Sequence, residues 1–381
     1  MAPLQVVLPW PAVRILIDYR PALRARTGVG EYVHEMAVAL VRHLGPGDAL
    51  VMFSSSWKDR LPAERVRGSQ VVDSRIPVRV LNTAWHRLGW PPIEWFSGPV
   101  DVAHSFHPLL MPARNAAQIV TVHDLDFLDH PERTRAEIRR DYAALAPRHV
   151  RRADAVVVVS AFTAGEVERR LGVPRDRIVV CSPGAPPWVP RRAPIRGPIL
   201  FMGTLEPRKN VGVLLDAYGI LLGMLADAPP LWLAGPAGDA AANWLRAIEA
   251  PPLAGRVTHL GYVPSERRQE LYAQASMLVL PSHLEGFGIP VLEAMTMGVP
   301  TIVSARGALP EVGGDAAQVV DPDDTRGFAE AMRRYLVDPA AAAAGMRRGI
   351  ERARRYSWDA SAQTLLAAYR DVVARRKDAA R

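Results

Sequence analysis

Two glutamates with seven residues between them, Glu285 and Glu293, stand in Pro281-Ser-His-Leu-Glu285-Gly-Phe-Gly-Ile-Pro290-Val-Leu-Glu293-Ala-Met-Thr-Met-Gly298-Val-Pro300. A carboxylate is a poor ligand for phosphate but a good acceptor for hydroxyl hydrogen bonds, so the pair suits the hydroxyls of a ribose and of a sugar. Gly286 and Gly288 carry no Cβ, which lets a ligand approach the free backbone N–H groups at a helix start, a ready seat for a diphosphate. Together these groups describe a site for a sugar nucleotide. Two solvated surface acids are the blander reading, and that reading leaves the glycines and the proline between them unexplained.

The elements that must hold these groups can be read around them. Residues 277–281 form a short apolar run of strand length, Pro290 suits the first position of a helix, and Gly298 with Pro300 ends it. Glu285 is therefore expected in a strand-to-helix loop and Glu293 in the first helical turn. Three further passages of the same kind carry candidate groups. Thr27-Gly28-Val-Gly30 precedes a helix whose apolar face is Tyr32, Val33, Met36, Ala37 and Leu40; its glycines admit a ligand to the helix start or simply make a tight turn. Thr121-Val-His123-Asp124-Leu125 ends a strand, where His123 could orient a sugar hydroxyl or move a proton, or be a satisfied loop residue with Asp124 as a helix cap. Phe201-Met-Gly203-Thr204-Leu-Glu-Pro-Arg208-Lys209-Asn210 opens a second series of strands. Lysine is rare in this chain, where Lys58, Lys209 and Lys377 are the only three among 47 basic residues. Its appearance at 209 suggests a need for a compact, mobile ammonium.

The segment Glu285-Gly-Phe-Gly-Ile-Pro-x-Leu-Glu293-Ala resembles the signature of the family 4 retaining glycosyltransferases. The resemblance implies the GT-B fold. It places Glu285 on the donor sugar, Glu293 on the ribose hydroxyls, and the amides of Phe287, Gly288 and Ile289 on the sugar and diphosphate. Gly28 and Gly30 would then border the donor phosphate and the acceptor, and His123 the donor sugar. Gly203, Thr204, Arg208 and Lys209 would meet the leaving diphosphate, with the backbone at Gly235 and Val263 against the base. Many family members carry arginine where this chain has Thr204; Arg208 is expected to supply that charge, as in the subset reading Gly-Thr-Leu-x-Pro-Arg-Lys-Asn. That subset points to mannose from GDP-mannose, with dTDP- or GDP-linked deoxyhexoses next. No carboxylate is obviously placed as a glycosyl nucleophile, which favours same-face attack with retained configuration. The implied acceptor is a saccharide or lipid-linked oligosaccharide of polysaccharide biosynthesis, and neither cofactor nor metal is expected.

The whole chain is consistent with that frame. Its 381 residues are long for one core and suggest two domains, and 49% hydrophobic with 23% charged residues is ordinary for a soluble protein. Strand-like runs alternate with helical patterns throughout, which predicts an α/β class with two Rossmann-like doubly wound domains facing a central cleft. Strands are expected near 13–19, 50–54, 78–81, 101–105, 118–123, 155–160 and 178–182, then near 199–203, 231–235, 257–261, 277–281, 301–304 and 318–321. The Pro-dense stretch 183–198 between the two series cannot join a sheet interior and reads as a linker. The domains would span 1–182 and 199–356. An amphipathic helix at 357–376 would either cross back to the first domain, as in GT-B proteins, or finish the second. An alanine-rich run after Pro339 is the start of another helix.

The net charge of +8 and pI near 10.0 invite a nucleic-acid partner, but the excess is spread evenly. Residues 1–190 hold 24 basic and 19 acidic groups, which leaves 23 and 20 of the totals of 47 and 39 for the rest. No nucleic acid is expected. The local exception is 132–152, with seven arginines on an amphipathic helical pattern; it is a solvated face or a peripheral contact with anionic lipid or a diphosphate-linked acceptor. The N-terminus lacks the features of a signal peptide, no apolar run suits a membrane span, and the lone Cys181 fits a reducing compartment, so a cytoplasmic location, peripheral at the inner membrane face, is expected. Trp85, Trp90 and Trp95 are sugar-stacking or packing residues, and Asp321-Pro-Asp-Asp324 is an exposed turn, not a metal motif. His104 and His107 are expected to be structural. A sugar-nucleotide epimerase or hydrolase would use the same donor groups without an acceptor surface, and a basic surface-binding protein would need no sugar chemistry at all.

Overall fold

A computed structural model of the protein describes residues 12–23, 26, 28–131 and 136–379. Thirteen strands form two parallel sheets among these residues. The first contains β1 (Arg14–Asp18), β2 (Ala49–Ser55), β3 (Gln70–Ser74), β4 (Val102–Ser105), β5 (Ala117–Val122), β6 (Ala155–Val158) and β7 (Ile178–Val180), in the order β3-β2-β1-β4-β5-β6-β7. The second contains β8 (Ile199–Met202), β9 (Leu231–Ala234), β10 (Val257–Gly261), β11 (Met277–Leu280), β12 (Thr301–Ser304) and β13 (Ala317–Val320), in the order β10-β9-β8-β11-β12-β13. Central strands such as β6 and β11 are apolar and buried along their whole length, because helices cover both faces of a parallel sheet.

Each sheet reverses its winding once, between β1 and β4 in the first and between β8 and β11 in the second. At such a reversal the loops leaving neighbouring strands run to opposite faces and open a crevice at their C-terminal ends, where doubly wound sheets take ligands. The glycines at 28 and 30 follow β1, Arg208 and Lys209 follow β8, and Glu285 follows β11. The two series of motifs are thus delivered to the two crevices.

Two expectations about strands are corrected. Residues 78–81 are helical, within Val78–Thr83, with Leu81 buried and Val80 59% exposed. Three apolar residues around Arg79 do not by themselves separate a strand from a one-sided helix, and the preceding Pro77 stands at the helix N-cap. The edge strand β3 was not expected, because Gln70-Val-Val-Asp-Ser is short, polar-ended and only half-buried.

Residues 181–198 join the sheets without a helix or strand. Helices Thr325–Val337 and Pro339–Ala353 complete the second domain, and the last helix, Trp358–Ala379, returns to pack on Gly28–Arg42 of the first. Its Tyr369 hydroxyl meets the buried His104 Nδ1 at 2.6 Å, and Arg370 pairs with Asp48 at 2.7 Å. The arginine-rich segment is helical over Ala136–Arg152, with Ala146 and Val150 buried; residues 132–135 of that expectation, Thr27 and the N-terminal ten lie outside the described residues.

Candidate active site

A cleft of about 370 Å³ lies between the domains and is lined by both. Its first-domain wall includes Gly28, Tyr32, His123 and Asp124. Its second-domain wall includes Gly203, Thr204, Arg208, Lys209, Val263, Arg268, Glu285, Phe287, Gly288, Ile289 and Glu293.

The Glu285 loop is shaped by two glycines that nothing larger could replace. Gly286 lies so close to the first domain that a Cβ would stand 1.7 Å from the His123 carbonyl oxygen. Gly288 adopts φ +98° as the N-cap of helix Ile289–Thr296, a conformation open chiefly to glycine. Glu293 is the fifth residue of that helix, one residue further in than a start at Pro290 gives. The facing loop is shaped by Asn210, at φ +55° the one non-glycine in the left-handed region among the described residues. Its side-chain amide donates to the carbonyls of Pro281 and Pro322, tying the turn Pro207–Lys209 to the ends of β11 and β13.

Those turns bring four charges together. Lys209 Nζ donates to Glu285 Oε1 at 2.5 Å and Arg208 Nη1 to Glu285 Oε2 at 3.2 Å, while Ser282 Oγ donates to Oε1 at 2.7 Å. Arg208 also reaches Glu206 and the Leu284 carbonyl, each at 2.8 Å. Burial would raise the Glu285 carboxyl, but Lys209 and Arg208 outweigh it and hold it at about 2, so it is ionised across the neutral range. Glu293 behaves oppositely: burial pushes it up to about 7 against the pull of Arg268 and Tyr272. Two carboxylates with such different surroundings can play different parts.

Burial lowers the imidazole of His123 to about 4, so it is neutral near pH 7, with Nε2 beside the Phe106 carbonyl at 3.2 Å. Gly30 is not on the cleft wall. It packs under the turn Arg20–Ala22, where a Cβ would stand 2.7 Å from the Pro21 carbonyl oxygen.

Residues 26–187 match the family described as Glycosyltransferase Family 4, and residues 196–338 the family described as Glycosyl transferases group 1. The O-antigen chain mannosyltransferase B of Escherichia coli is 33% identical over 273 residues, covering 68% of this chain and 72% of that protein. The chain belongs to the family 4 type of GT-B glycosyltransferases. A D-inositol 3-phosphate glycosyltransferase of Acidothermus cellulolyticus is 30% identical over 63% of this glycosyltransferase, though the match spans only 52% of its own length. Among solved structures, the sucrose-phosphate synthase of Thermosynechococcus elongatus shares the fold at TM-score 0.77 and 21% identity, covering 95% of this chain and 99% of its own. Anabaena HepE, solved in complex with UDP and glucose, shares it at TM-score 0.67 and 15% identity, covering 93% and 98%.

The remaining candidates of this glycosyltransferase lie elsewhere. Trp85 is buried in the first domain, donating to the Pro91 carbonyl, while Trp90 and Trp95 are exposed and pack edge to face at 5.1 Å, away from the cleft lining. Asp324 caps helix Thr325–Val337 through the Gly327 N–H, and Asp321 is exposed. His107 joins a buried cluster with Asp18 and Arg20. Sequence reasoning missed Glu31, Arg268 and Tyr272. Arg268 and Tyr272 share the helix Ser265–Gln274 behind Glu293, and a spacing of four residues was their one visible signal.

Proposed function

We propose that this glycosyltransferase moves a hexose, mannose in the first instance, from a nucleoside diphosphate donor to a hydroxyl of a saccharide or lipid-linked acceptor, with retained anomeric configuration. The observation that carries the reading is the convergence of the Arg208, Lys209 and Glu285 cluster and of Glu293 on one cleft lined by both domains. Such a set of cations and hydroxyl acceptors suits a diphosphate between a ribose and a sugar. The name of the Escherichia coli relative favours mannose and O-antigen-like polysaccharide biosynthesis. GDP is the expected nucleotide from the Gly203-Thr-Leu-Glu-Pro-Arg-Lys-Asn210 passage.

In the reaction the bond from the anomeric carbon to the diphosphate oxygen breaks and a bond to the acceptor oxygen forms on the same face. The acceptor proton passes to the leaving phosphate oxygen. Arg208, Lys209 and the helix start at Ile289 stabilise the charge that develops there, the kind of preorganised contribution that dominates many enzymes. They do so without a metal. Glu285 and neutral His123 hold the sugar hydroxyls in the geometry for transfer. Exposed Arg148, Arg151 and Arg152 on the helix Ala136–Arg152 would hold the enzyme against an anionic membrane face that presents a lipid-linked acceptor. No helix among the described residues is long and apolar enough to cross a membrane.

A thermal-shift panel of GDP, UDP, dTDP and ADP sugars tests the donor, since a ligand that binds only the native state raises its melting point. GDP-mannose is expected to give the largest rise. A panel with no response removes the donor reading, and free sugar or an isomer formed from donor alone would replace transfer with hydrolysis or epimerisation.

A further inference from the structure

Glu293 is held from behind by a residue that also reaches across the cleft. Arg268 stands on helix Ser265–Gln274 with 10% of its side chain exposed. Its Nη1 donates to Glu293 Oε1 at 2.6 Å and its Nη2 to Glu31 Oε2 at 2.8 Å. Glu31 belongs to the first turn of helix Gly28–Arg42, in the other domain. Ser265 Oγ accepts from the same Nη2 at 2.6 Å and donates to Glu31 Oε2 at 3.0 Å, which closes a ring of contacts. One turn along the helix, Tyr272 donates to Glu293 Oε2 at 2.8 Å. Each oxygen of Glu293 thus takes one protein donor and, with two lone pairs apiece, keeps one position for a hydroxyl. Two vicinal hydroxyls would fill them.

We infer that Arg268 is a positioning residue that couples occupation of Glu293 by the donor ribose to closure of the two domains, with Glu31 as its anchor on the far side. The inference rests on the donor reading above. With the domains together, one guanidinium is shared between the buried Glu293 and the partly buried Glu31 and points Glu293 at the cleft. With the domains apart, Glu31 leaves, and Arg268 has Glu293 as its sole carboxylate. The seat then loses the contact that fixes the guanidinium's second edge. Conversely, without Arg268 closure would bring Glu31 against Glu293 with no cation between them, at the cost of leaving a charge unpaired or taking up a proton, so closure itself would be disfavoured. Other contacts between the domains, such as Ser160 Oγ to the Gly286 carbonyl at 2.7 Å and Glu311 to the Ala161 and Phe162 amides, do not touch the ribose seat. Binding energy at Glu293 therefore feeds into closure by one side chain, and the effect must run both ways.

The test uses the full chain and two readouts. Spin labels on the exposed positions Arg67→Cys and Ala240→Cys, with Cys181 buried, report the distance between domains in the absence of ligand. Glu31→Gln is expected to lengthen and broaden that distance, and to weaken GDP or UDP binding about tenfold by calorimetry, within the usual range for coupled sites. Arg268→Lys, a point charge that cannot span both acids, is expected to behave like Glu31→Gln. A cycle combining Glu31→Gln with Glu293→Gln should be non-additive in nucleotide affinity, and should become additive when Arg268→Met is present. Distances and affinities unchanged by Glu31→Gln, or a cycle that is additive throughout, would overturn the coupling while leaving the donor reading intact. A wild-type chain that binds no nucleoside diphosphate, with Glu31→Gln still widening the cleft, removes the donor reading and with it the ribose half of the coupling.

Discussion

Glu285→Gln takes one charge and almost no volume from the centre of the site. In the wild-type chain the carboxylate accepts from Lys209 at 2.5 Å, Ser282 at 2.7 Å and Arg208 at 3.2 Å, with 8% of the side chain exposed. An amide keeps one oxygen for Lys209 and Ser282 but turns an NH2 group toward Arg208, which retains Glu206 and the Leu284 carbonyl. Removing one partner of a buried ion pair costs about 3–5 kcal/mol. The carboxyl's fall from 4.5 to about 2 leads to a similar figure, about 3 kcal/mol at roughly 1.4 kcal/mol per unit. Because the folded value lies below the unfolded one, this stabilisation is present above about pH 4.5 and is lost as the pH falls toward 2. For a domain of this size the variant should melt about 6–12 °C lower at neutral pH, and the gap to wild type should shrink on acidification. Scanning calorimetry across that range is the assay. The group Glu206, Arg208, Lys209 and Glu285 passes from neutral to singly positive, so nucleoside diphosphate affinity should hold or rise while turnover falls. An unchanged melting point refutes the ion pair, and unchanged turnover takes Glu285 away from the sugar.

Gly286→Ala would set a Cβ against the His123 carbonyl oxygen, a backbone atom that cannot step aside, so the domains should no longer close. Turnover is expected to drop by about a hundredfold, the scale of a misplaced reacting group, with helical content kept; wild-type rates would contradict the close approach. Tyr369→Phe leaves the buried His104 Nδ1 without its partner at 2.6 Å and should cost the chain about 1–3 kcal/mol in denaturant unfolding, with no cost if the last helix is not anchored there.

The strand-loop-helix passages were legible because parallel strands are runs of apolar residues and the loops after them are marked by glycine and proline. That is why the sequence alone puts Glu285, Lys209 and His123 in the turns that follow strands. Gly30 misled because a glycine demanded by packing against Pro21 is written with the same letter as one demanded by a ligand. Residues 78–81 misled because three apolar residues interrupted by Arg79 are too few to separate a strand period from a helical one. Arg268 and Glu31 were invisible for a different reason. Each looks like an ordinary charge on an amphipathic helix, and their partnership spans 237 positions of the chain, from 31 to 268, so only folding brings them together.

The backbone passes between the domains twice, once through 181–198 and again just before Trp358, where the last helix returns to the first sheet. A body tied to another at two separate points has an axle drawn through those points. Swinging about that line is permitted, whereas sliding or twisting off it must stretch one of the tethers. The lobes should therefore part like a book with its spine intact, and the first lobe cannot be obtained whole by cutting the chain at the proline-rich stretch alone, because its final pages are bound in after the second.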